Sequence, residues 1–162
     1  MLGWQEGLLG DVWEFRQATA EDAGWLADLK VEVMRPDLER LGYWDPPWAR
    51  DRFLAAFVPA NTLVVVLDDE DVGCVAVREE PDARWLEHFY LSPSVQGRGL
   101  GSGVLAAVLE RCAPDLPVRL SINRGSRVRA LYERHGFRHV EDHANGVDLI
   151  FERDTAGPVA DT

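Results

Sequence analysis

The sequence contains little cysteine, a single lysine and no long apolar run. Its two cysteines, Cys74 and Cys112, are too few for a disulfide framework or a metal cluster, so we expect two small core residues and no bound metal. No apolar stretch approaches the roughly 20 residues of a membrane-spanning helix. The opening MLGWQEGLLGDVWEF also lacks the basic start and long apolar centre of a signal peptide. These absences predict a cytoplasmic protein that does not bind membranes.

Positive charge is scarce over the whole chain but concentrated in one segment. The 162 residues include 17 basic and 28 acidic side chains, and the net charge of −11 disfavours binding to nucleic acid. Residues 84–138 reverse this balance, because arginine outnumbers aspartate and glutamate there. The basic segment indicates either solvated helix faces or a local anion site inside an acidic protein.

The length of the chain predicts one domain over residues 1–154, and the small, polar residues 155–162 predict a flexible tail. Strand patterns occupy residues 11–19, 62–67, 72–79, 84–91 and 117–123, and a hairpin turning at Asn145-Gly146 occupies 137–154. Helix patterns occupy 19–34, a stretch from Arg35, a short helix after a loop at 42–47, a helix that ends near Ala113, and 126–136 with Ser126 as cap and Gly136 as stop.

Three glycines, at positions 97, 99 and 101, stand where a predicted strand ends and a helix begins. Glycine lets successive main-chain N–H groups turn toward one point, and a helix start adds unpaired N–H groups and the positive end of its dipole. The stretch therefore indicates a phosphate-binding loop. A P-loop is excluded because it requires a lysine, and Lys30 is the only one. A dinucleotide fingerprint is weak because Ser102 stands at its third glycine position, and a turn without a ligand stays open.

Two motifs carry a family resemblance. Gln96-Gly97-Arg98-Gly99-Leu100-Gly101, with Pro93 before it, resembles the acetyl-CoA pyrophosphate loop of the GNAT-type N-acetyltransferase superfamily. Downstream, ALYERHGF resembles that family's L-Y-x-x-x-G-F motif through Leu131-Tyr132 and Gly136-Phe137. The resemblance spans residues 12–153. It implies an α/β (α+β) fold with a bent, mixed, mostly antiparallel sheet of about six to seven strands and about four helices, and acetyl-CoA as cosubstrate.

The resemblance also implies which residues hold acetyl-CoA. The strand at 84–91 would splay from the strand at 117–123, with the pantetheine arm in the gap and the N–H of Leu91 polarising the acetyl oxygen. Asn123 would reach the pantetheine amides, and Ser126 and Arg127 lie in the turn before Leu131-Tyr132. The pyrophosphate would be bound by Gln96, Gly97, Arg98, Gly99, Leu100, Gly101 and Ser102.

Acetyl transfer to an amine requires a proton acceptor and a proton donor. An amine with a pKa near 10.4 costs roughly 4.6 kcal/mol to deprotonate at neutral pH, and a base recovers part of this. Strand alternation puts Trp85, Glu87 and Phe89 on one face and His88 on the other. The resemblance implies a base on the first face, so we predict Glu87, acting directly or through water; an edge carboxylate in a salt bridge is the alternative. Tyr132 would protonate the departing thiolate, unless it is a core aromatic.

The segment between the first helices commonly walls the acceptor site in proteins that this chain resembles. Tyr43, Trp44 and Trp48 would supply aromatic walls, together with Trp85 and Glu87. The acidic side chains nearby, which favour a cationic acceptor, are Asp37, Glu39 and Asp45. An aromatic lid over the sheet is an equal alternative.

Two functional hypotheses follow from the sequence. The first is an N-acetyltransferase that moves acetyl directly to a primary amine in a ternary complex; the amine would belong to a small cation, an aminoglycoside-like compound, or a protein or peptide. The second is a catalytically silent acyl-CoA-binding sensor. A homodimer is plausible, since dimers are common in the family that the chain resembles.

Overall fold

The computed structural model describes residues 4–6 by their backbone and residues 12–154 with their side chains. These residues form eight strands and four helices. The strands are β1 (Trp4–Glu6), β2 (Val12–Gln17), β3 (Thr62–Leu67), β4 (Glu70–Glu79), β5 (Arg84–Leu91), β6 (Val118–Asn123), β7 (Arg138–Asp142) and β8 (Asp148–Arg153). The helices are α1 (Ala23–Leu41), α2 (Pro46–Ala56), α3 (Leu100–Arg111) and α4 (Arg129–Arg134).

The chain divides into two compact units. The first unit holds the residues up to Ala76 together with His88–Gly103, and the second holds Val77–Glu87 and the residues from Val104 onward. Strands β4 and β5 therefore contribute residues to both units. The single domain that we predict over residues 1–154 stays a prediction.

The strand pairing is mixed and mostly antiparallel, and the predicted fold class is confirmed. In the first unit, β1 pairs with β2, β2 with β3, and β3 with β4, all antiparallel. In the second unit, β8 lies antiparallel to both β6 and β7, whereas β5 joins β6 in parallel. The described residues form eight strands, one more than the six to seven that we expected. The short β1, to which the sequence patterns assign no element, adds to the count.

Helix α1 is longer than predicted because it continues through Pro36. We expected a break near Arg35, but a single helix of 19 residues runs to Leu41 and ends at Gly42, whose φ is +80°. A proline within a helix removes one hydrogen bond. The ion pair between Arg35 and Glu39, with 2.6 Å between Nε and Oε1, spans the proline and supports the turn.

Asp22 anchors the entry to α1. Its carboxylate accepts hydrogen bonds from the main-chain N–H of Thr19 at 2.8 Å and from the indole N–H of Trp25 at 2.8 Å. The guanidinium of Arg16 donates to both carboxylate oxygens, at 2.7 and 3.0 Å, and also to Asp71. The side chain is buried, and these bonds, led by that of Arg16, hold the pKa of Asp22 far below its usual value.

The core of the first unit joins both long helices to the inner strands. Leu26 and Leu29, one helical turn apart on α1, pack with Phe53 of α2 and Cys74 of β4. Tyr90 of β5 packs against the same cluster. The apolar face of the helix pair therefore covers the end of β5 that leads to the glycine-rich loop.

The last helix is shorter than predicted, whereas its stop is as expected. Helix α4 begins at Arg129 rather than at position 126, and Val128 takes its N-cap position. Ser126 lies in a turn that follows Gly125, whose φ is +75°, so its role as a helix cap is wrong. Gly136, with φ of +89°, ends the helix.

The final hairpin turns where the sequence predicts. Asn145 Oδ1 accepts the main-chain N–H groups of Val147 and Asp148 at 2.9 and 3.0 Å, and Gly146 has a φ of +74°. An Asn-Gly pair suits this geometry because glycine tolerates a positive φ and asparagine bonds its own turn.

The described residues contain no membrane-spanning helix, no group of metal ligands and no disulfide bond. Among the described residues, no helix is both long and apolar enough to cross a bilayer. Within residues 12–154, no group of three or more His, Cys, Asp and Glu side chains is arranged to hold a metal ion. Cys74 and Cys112 are free thiols, and Cys74 is fully buried whereas Cys112 is only partly buried.

Candidate active site

The glycine-rich loop alternates in backbone handedness just before α3. Gln96 has a φ of −71°, whereas Gly97 and Gly99 have φ values of +78° and +79°. Arg98 between them has no positive φ. Alternating conformations of this kind turn successive N–H groups toward one side and form an anion-binding concavity. Gly101 lies in the first turn of α3, where main-chain N–H groups have no partner within the helix.

A side-chain hydrogen bond joins this loop to the end of β5. Gln96 Nε2 donates to the main-chain carbonyl of Leu91 at 2.8 Å. The N–H of Ser92 donates to the carbonyl of Val72 on β4 at 2.7 Å. Leu91 itself is buried. The residue that we predict to polarise the acetyl oxygen is therefore bonded to the loop through its own carbonyl, and the residue after it is bonded to β4.

Strand β4 approaches β5 closely at Gly73. A Cβ atom at this position would lie 2.3 Å from the carbonyl oxygen of Tyr90 and 2.7 Å from Leu91 Cδ2. Real Cβ atoms essentially never come so close to backbone atoms. Glycine is therefore required here for the present spacing of the two strands, directly beside the predicted acetyl position.

The regular alternation of β5 is interrupted at His88. This residue has a φ of +50°, in the left-handed region that non-glycine residues rarely occupy. Its ring lies 5.0 Å from Phe53 and 6.4 Å from Tyr90. Cys74 Sγ contacts its carbonyl at 3.0 Å. The ring of His88 therefore packs among aromatic side chains, and its backbone departs from the regular strand geometry that the sequence pattern predicts.

In the second unit, β5 and β6 pair only at their beginnings. The parallel ladder consists of Arg84 with Val118 and Trp85 with Arg119, so Leu86 and Glu87 continue without a ladder partner on β6. Among these described strand residues, the pairing therefore stops where the predicted splay would begin.

Three predicted cofactor residues, Asn123 at the end of β6 and Ser126 and Arg127 after it, lie close together in sequence and differ in exposure. Asn123 pairs with Asp148 on β8 and accepts the N–H of Ser126 at 3.1 Å through its carbonyl. The hydroxyl of Ser126 faces the N–H of Val128 at 3.4 Å. Arg127 is exposed. Their contact with a cofactor stays a prediction.

The predicted base lies in an ion-pair cluster. Glu87 is partly buried, with its side chain 29% exposed, and its Oε2 lies 3.4 Å from Arg78 Nε. The same guanidinium pairs with Glu80 and stands over the ring of Trp85 at 5.8 Å. The salt-bridge alternative for Glu87 is therefore realised, and because the side chain keeps solvent access, water can reach the carboxylate.

Tyr132, the predicted acid, is a buried residue of α4. Its ring meets Phe137 edge to face, with 5.7 Å between the ring centres. Its main-chain carbonyl accepts the N–H groups of His135 and Phe137 at 3.0 and 3.1 Å. Burial raises the pKa of the Tyr132 phenol well above its ordinary value, so it stays protonated at neutral pH. A protonated phenol is the form that an acid requires, although the ring is also a core aromatic.

Two of the aromatic side chains that we predict to line the acceptor site already stack with arginines of this chain. The guanidinium of Arg35 stands over Trp44 at 5.1 Å, and that of Arg52 over Trp48 at 4.7 Å. Trp48 and Tyr43 are exposed. A substrate cation would therefore have to share each indole with an arginine.

The three acidic side chains of this segment are also engaged. Asp37 pairs with Arg40 at 3.1 Å, and Glu39 pairs with Arg35. Asp45 caps α2 by accepting the N–H of Trp48 at 3.1 Å. These contacts weaken the case for a purely acidic surface that attracts an ammonium group.

Sequence reasoning missed two residues of this region, Gly73 and Arg78. An isolated glycine within a strand pattern is a signal for close backbone approach, and VGCVAV carried it. Arg78 gave no signal, because its contact with Glu87 depends on cross-strand geometry, which no single strand pattern specifies.

This chain resembles a known family in sequence and known proteins in fold. Residues 59–139, half of the chain, match a family described as the acetyltransferase (GNAT) domain. No protein of curated function matches the chain significantly in sequence.

Solved structures share the fold. The PaiA N-acetyltransferase from Thermoplasma acidophilum, in complex with coenzyme A, superposes with a TM-score of 0.72 at 21% identity, over 88% of this chain and 98% of that one. An N-acetyltransferase from Staphylococcus aureus Mu50 gives 0.65 at 16% identity, over 85% and 97%. The ribosomal-protein-S18-alanine N-acetyltransferase from Escherichia coli gives 0.66 at 14% identity, over 87% and 92%. At these identities the likeness concerns the fold alone.

Proposed function

The chain belongs to the GNAT acetyltransferase family, whose members are acetyl-CoA-dependent acyltransferases, and we propose that it moves acetyl directly from acetyl-CoA to a primary amine within a ternary complex. The observation that carries this proposal is the loop of alternating handedness at Gly97 and Gly99, followed by the start of α3. Such a loop suits a pyrophosphate, which is a double anion with oxygens for several N–H donors.

The tie between Gln96 and Leu91 supports the same proposal. When the loop holds the pyrophosphate, this hydrogen bond fixes the end of β5, where the N–H of Leu91 would polarise the acetyl oxygen. Fixed donors of this kind stabilise the negative charge that develops on a carbonyl oxygen during acyl transfer.

The reaction needs two proton transfers, which we assign to Glu87 and Tyr132. The amine nitrogen forms a bond to the carbonyl carbon of the thioester, and the carbon–sulfur bond breaks. Glu87 takes the proton of the amine, directly or through water, since its carboxylate is partly exposed. Tyr132 gives its phenolic proton to the departing thiolate; burial keeps the phenol protonated, although its raised pKa also makes this proton transfer less favourable.

The acceptor is an amine, and the aromatic residues between the end of α1 and the start of α2 limit which kinds of amine fit. Tyr43, Trp44 and Trp48 remain the proposed walls. Because arginines cover the two indoles and the neighbouring acids are engaged, a polycation is disfavoured relative to an amine that carries other polar groups. A protein or peptide amine, or a small molecule, fits this description.

One observation favours the alternative of a silent acyl-CoA sensor. Glu87 is already paired with Arg78, so the chain would keep its cofactor loop while lacking an available base. Location in the cytoplasm and homodimer formation remain predictions.

Thiol release from acetyl-CoA tests the proposal. The purified chain is incubated with polyamines, aminoglycosides, amino acids and peptides with free amino groups, and acetyl-CoA binding is measured separately by calorimetry. We expect release with one class of amine. Binding without release from any amine would favour the sensor, and absence of binding would refute both.

A further inference from the structure

Two successive residues of β4, Gly73 and Cys74, contact the end of β5. A Cβ atom added at Gly73 would lie 2.7 Å from Leu91 Cδ2 and 3.1 Å from Leu91 Cα. Cys74 Sγ lies 3.0 Å from the carbonyl oxygen of His88. This part of β4 therefore defines the path of β5 up to the residue that we predict to polarise the acetyl oxygen.

The thiol of Cys74 joins two main-chain groups of β5. It donates to the carbonyl of His88, and the N–H of Tyr90 hydrogen-bonds the sulfur. Burial raises the pKa of the thiol to about 12, against the opposing effect of that N–H, so the sulfur keeps its proton at neutral pH. A protonated thiol is both a weak donor and a weak acceptor. One side chain of β4 therefore ties together the residues on either side of Phe89.

The backbone of His88 requires support from its neighbours. Its φ of +50° lies in the left-handed region, and such a conformation persists in a non-glycine residue only where the surrounding contacts determine it. The centre of its ring lies 5.0 Å from that of Phe53, which is fully buried. Cys74 belongs to the same buried cluster as Phe53. The ring and the carbonyl of His88 are thus each held by a residue of this cluster.

The conformation of His88 affects Leu91, because a rotation of the backbone at one residue redirects the few residues that follow it. We propose that Cys74 is a positioning residue for acetyl transfer, whose thiol bridge fixes the left-handed turn at His88 and so the direction of the Leu91 N–H. A donor stabilises the charge that develops on a carbonyl oxygen only when it is placed correctly. The role of the Leu91 N–H rests on the proposed function, whereas the bridge can be measured without acetyl transfer.

The first test separates hydrogen bonding from packing. Thiol release with an accepted amine and the binding of acetyl-CoA are measured for the wild-type chain and for Cys74→Ser, Cys74→Ala, Cys74→Val and Cys112→Ala. Serine keeps a donor and an acceptor, whereas valine keeps an apolar side chain. We expect kcat to fall by about tenfold or more in Cys74→Ala and Cys74→Val, with unchanged affinity for acetyl-CoA. Cys74→Ser should retain most of the activity, and Cys112→Ala, which removes the other free thiol, should retain all of it.

A purely packing role predicts the opposite order of the variants. A loss in Cys74→Ser that equals or exceeds the loss in Cys74→Val would show that the thiol only fills space, and it would overturn the proposal. Wild-type kcat in all three variants at position 74 would overturn it as well. Either result leaves the proposed function standing, since the wild-type chain then acetylates an amine.

The second test needs no amine. Acetyl-CoA labelled with ¹³C at the thioester carbonyl gives an infrared band that moves to lower frequency when an N–H donor polarises the carbonyl. We expect this shift on binding to the wild-type chain and to Cys74→Ser, and a smaller shift with Cys74→Ala. Equal shifts with all three would overturn the positioning role. A shift that depends on Cys74, without acetyl transfer to any amine, would uphold that role and refute the proposed function.

The bridge itself can be observed without any change at Cys74. In the Cys112→Ala chain Cys74 is the only thiol, so the S–H stretching band in the infrared belongs to it alone. A hydrogen-bonded S–H group absorbs at lower frequency and in a broader band than ethanethiol in an apolar solvent. We expect such a lowered band. A band at the frequency of the unbonded thiol would overturn the bridge, even if the Cys74→Ala chain does not fold.

Discussion

Replacing Gly73 by alanine should separate β4 from β5 beside Leu91. The added Cβ would start 2.3 Å from Tyr90 O, and the spacing must widen to at least about 3.0 Å, so backbone rather than a flexible side chain has to move. Overpacking of this kind costs about 1–3 kcal/mol of unfolding free energy. Since a misplacement of about 1 Å at reacting groups can cost about 10²-fold, kcat/KM for acetyl-CoA should fall by that order.

Gly24 offers a matched control. It lies in the first turns of α1 with no heavy atom within 4 Å of an added Cβ and without a positive φ. Gly24→Ala should therefore gain about 0.5–1 kcal/mol, because alanine loses less backbone entropy in a helix. Urea unfolding of both variants and steady-state thiol release measure the contrast. A Gly73→Ala protein as stable and as active as Gly24→Ala would refute the close approach of the strands.

Three further predictions concern the loop, the acid and the entry to α1. Gly97→Ala and Gly146→Ala introduce the same left-handed strain in open space, so each should lose about 1 kcal/mol in urea unfolding, but only Gly97→Ala should weaken acetyl-CoA binding in calorimetry. Equal binding by both would remove the loop from the site. Tyr132→Phe should lower kcat by about 10²–10⁴-fold with unchanged acetyl-CoA affinity, and unchanged turnover would exclude the acid role. Asp22→Asn should cost about 2–3 kcal/mol at pH 7, because Arg16 and two N–H donors lose a charged partner. Since folding lowers the pKa of Asp22, its contribution is complete above the unfolded pKa of about 3.9 and fades as pH falls through the folded pKa, so urea unfolding should show the difference shrinking in acid.

Sequence patterns predicted the parts of this molecule that depend on local chemistry. The alternation in β2, the Asn145-Gly146 turn and the glycines before α3 each depend on residues adjacent in the chain, and all three lie where predicted. Gly97 and Gly99 adopt the positive φ values that a phosphate loop requires.

Features that depend on neighbours distant in sequence could not be read from the chain. The continuation of α1 through Pro36 reflects its support by ion pairs and packing, which outweigh one lost hydrogen bond. The left-handed His88 and the pairing of Arg78 with Glu87 depend on how strands meet. The sequence could not tell whether each indole stacks with a cation of the substrate or with an arginine of the chain, and the structure shows an arginine over both.

The scarcity of lysine has a consequence for the chemical durability of the protein. Nearly all of its positive side chains are arginines, whose guanidinium groups remain protonated above pH 12 and present no lone pair to a thioester. The single lysine is partly buried. A protein that handles an acylating reagent throughout its working life therefore offers that reagent almost no side-chain amine, and its own charge pattern resists adventitious acetylation.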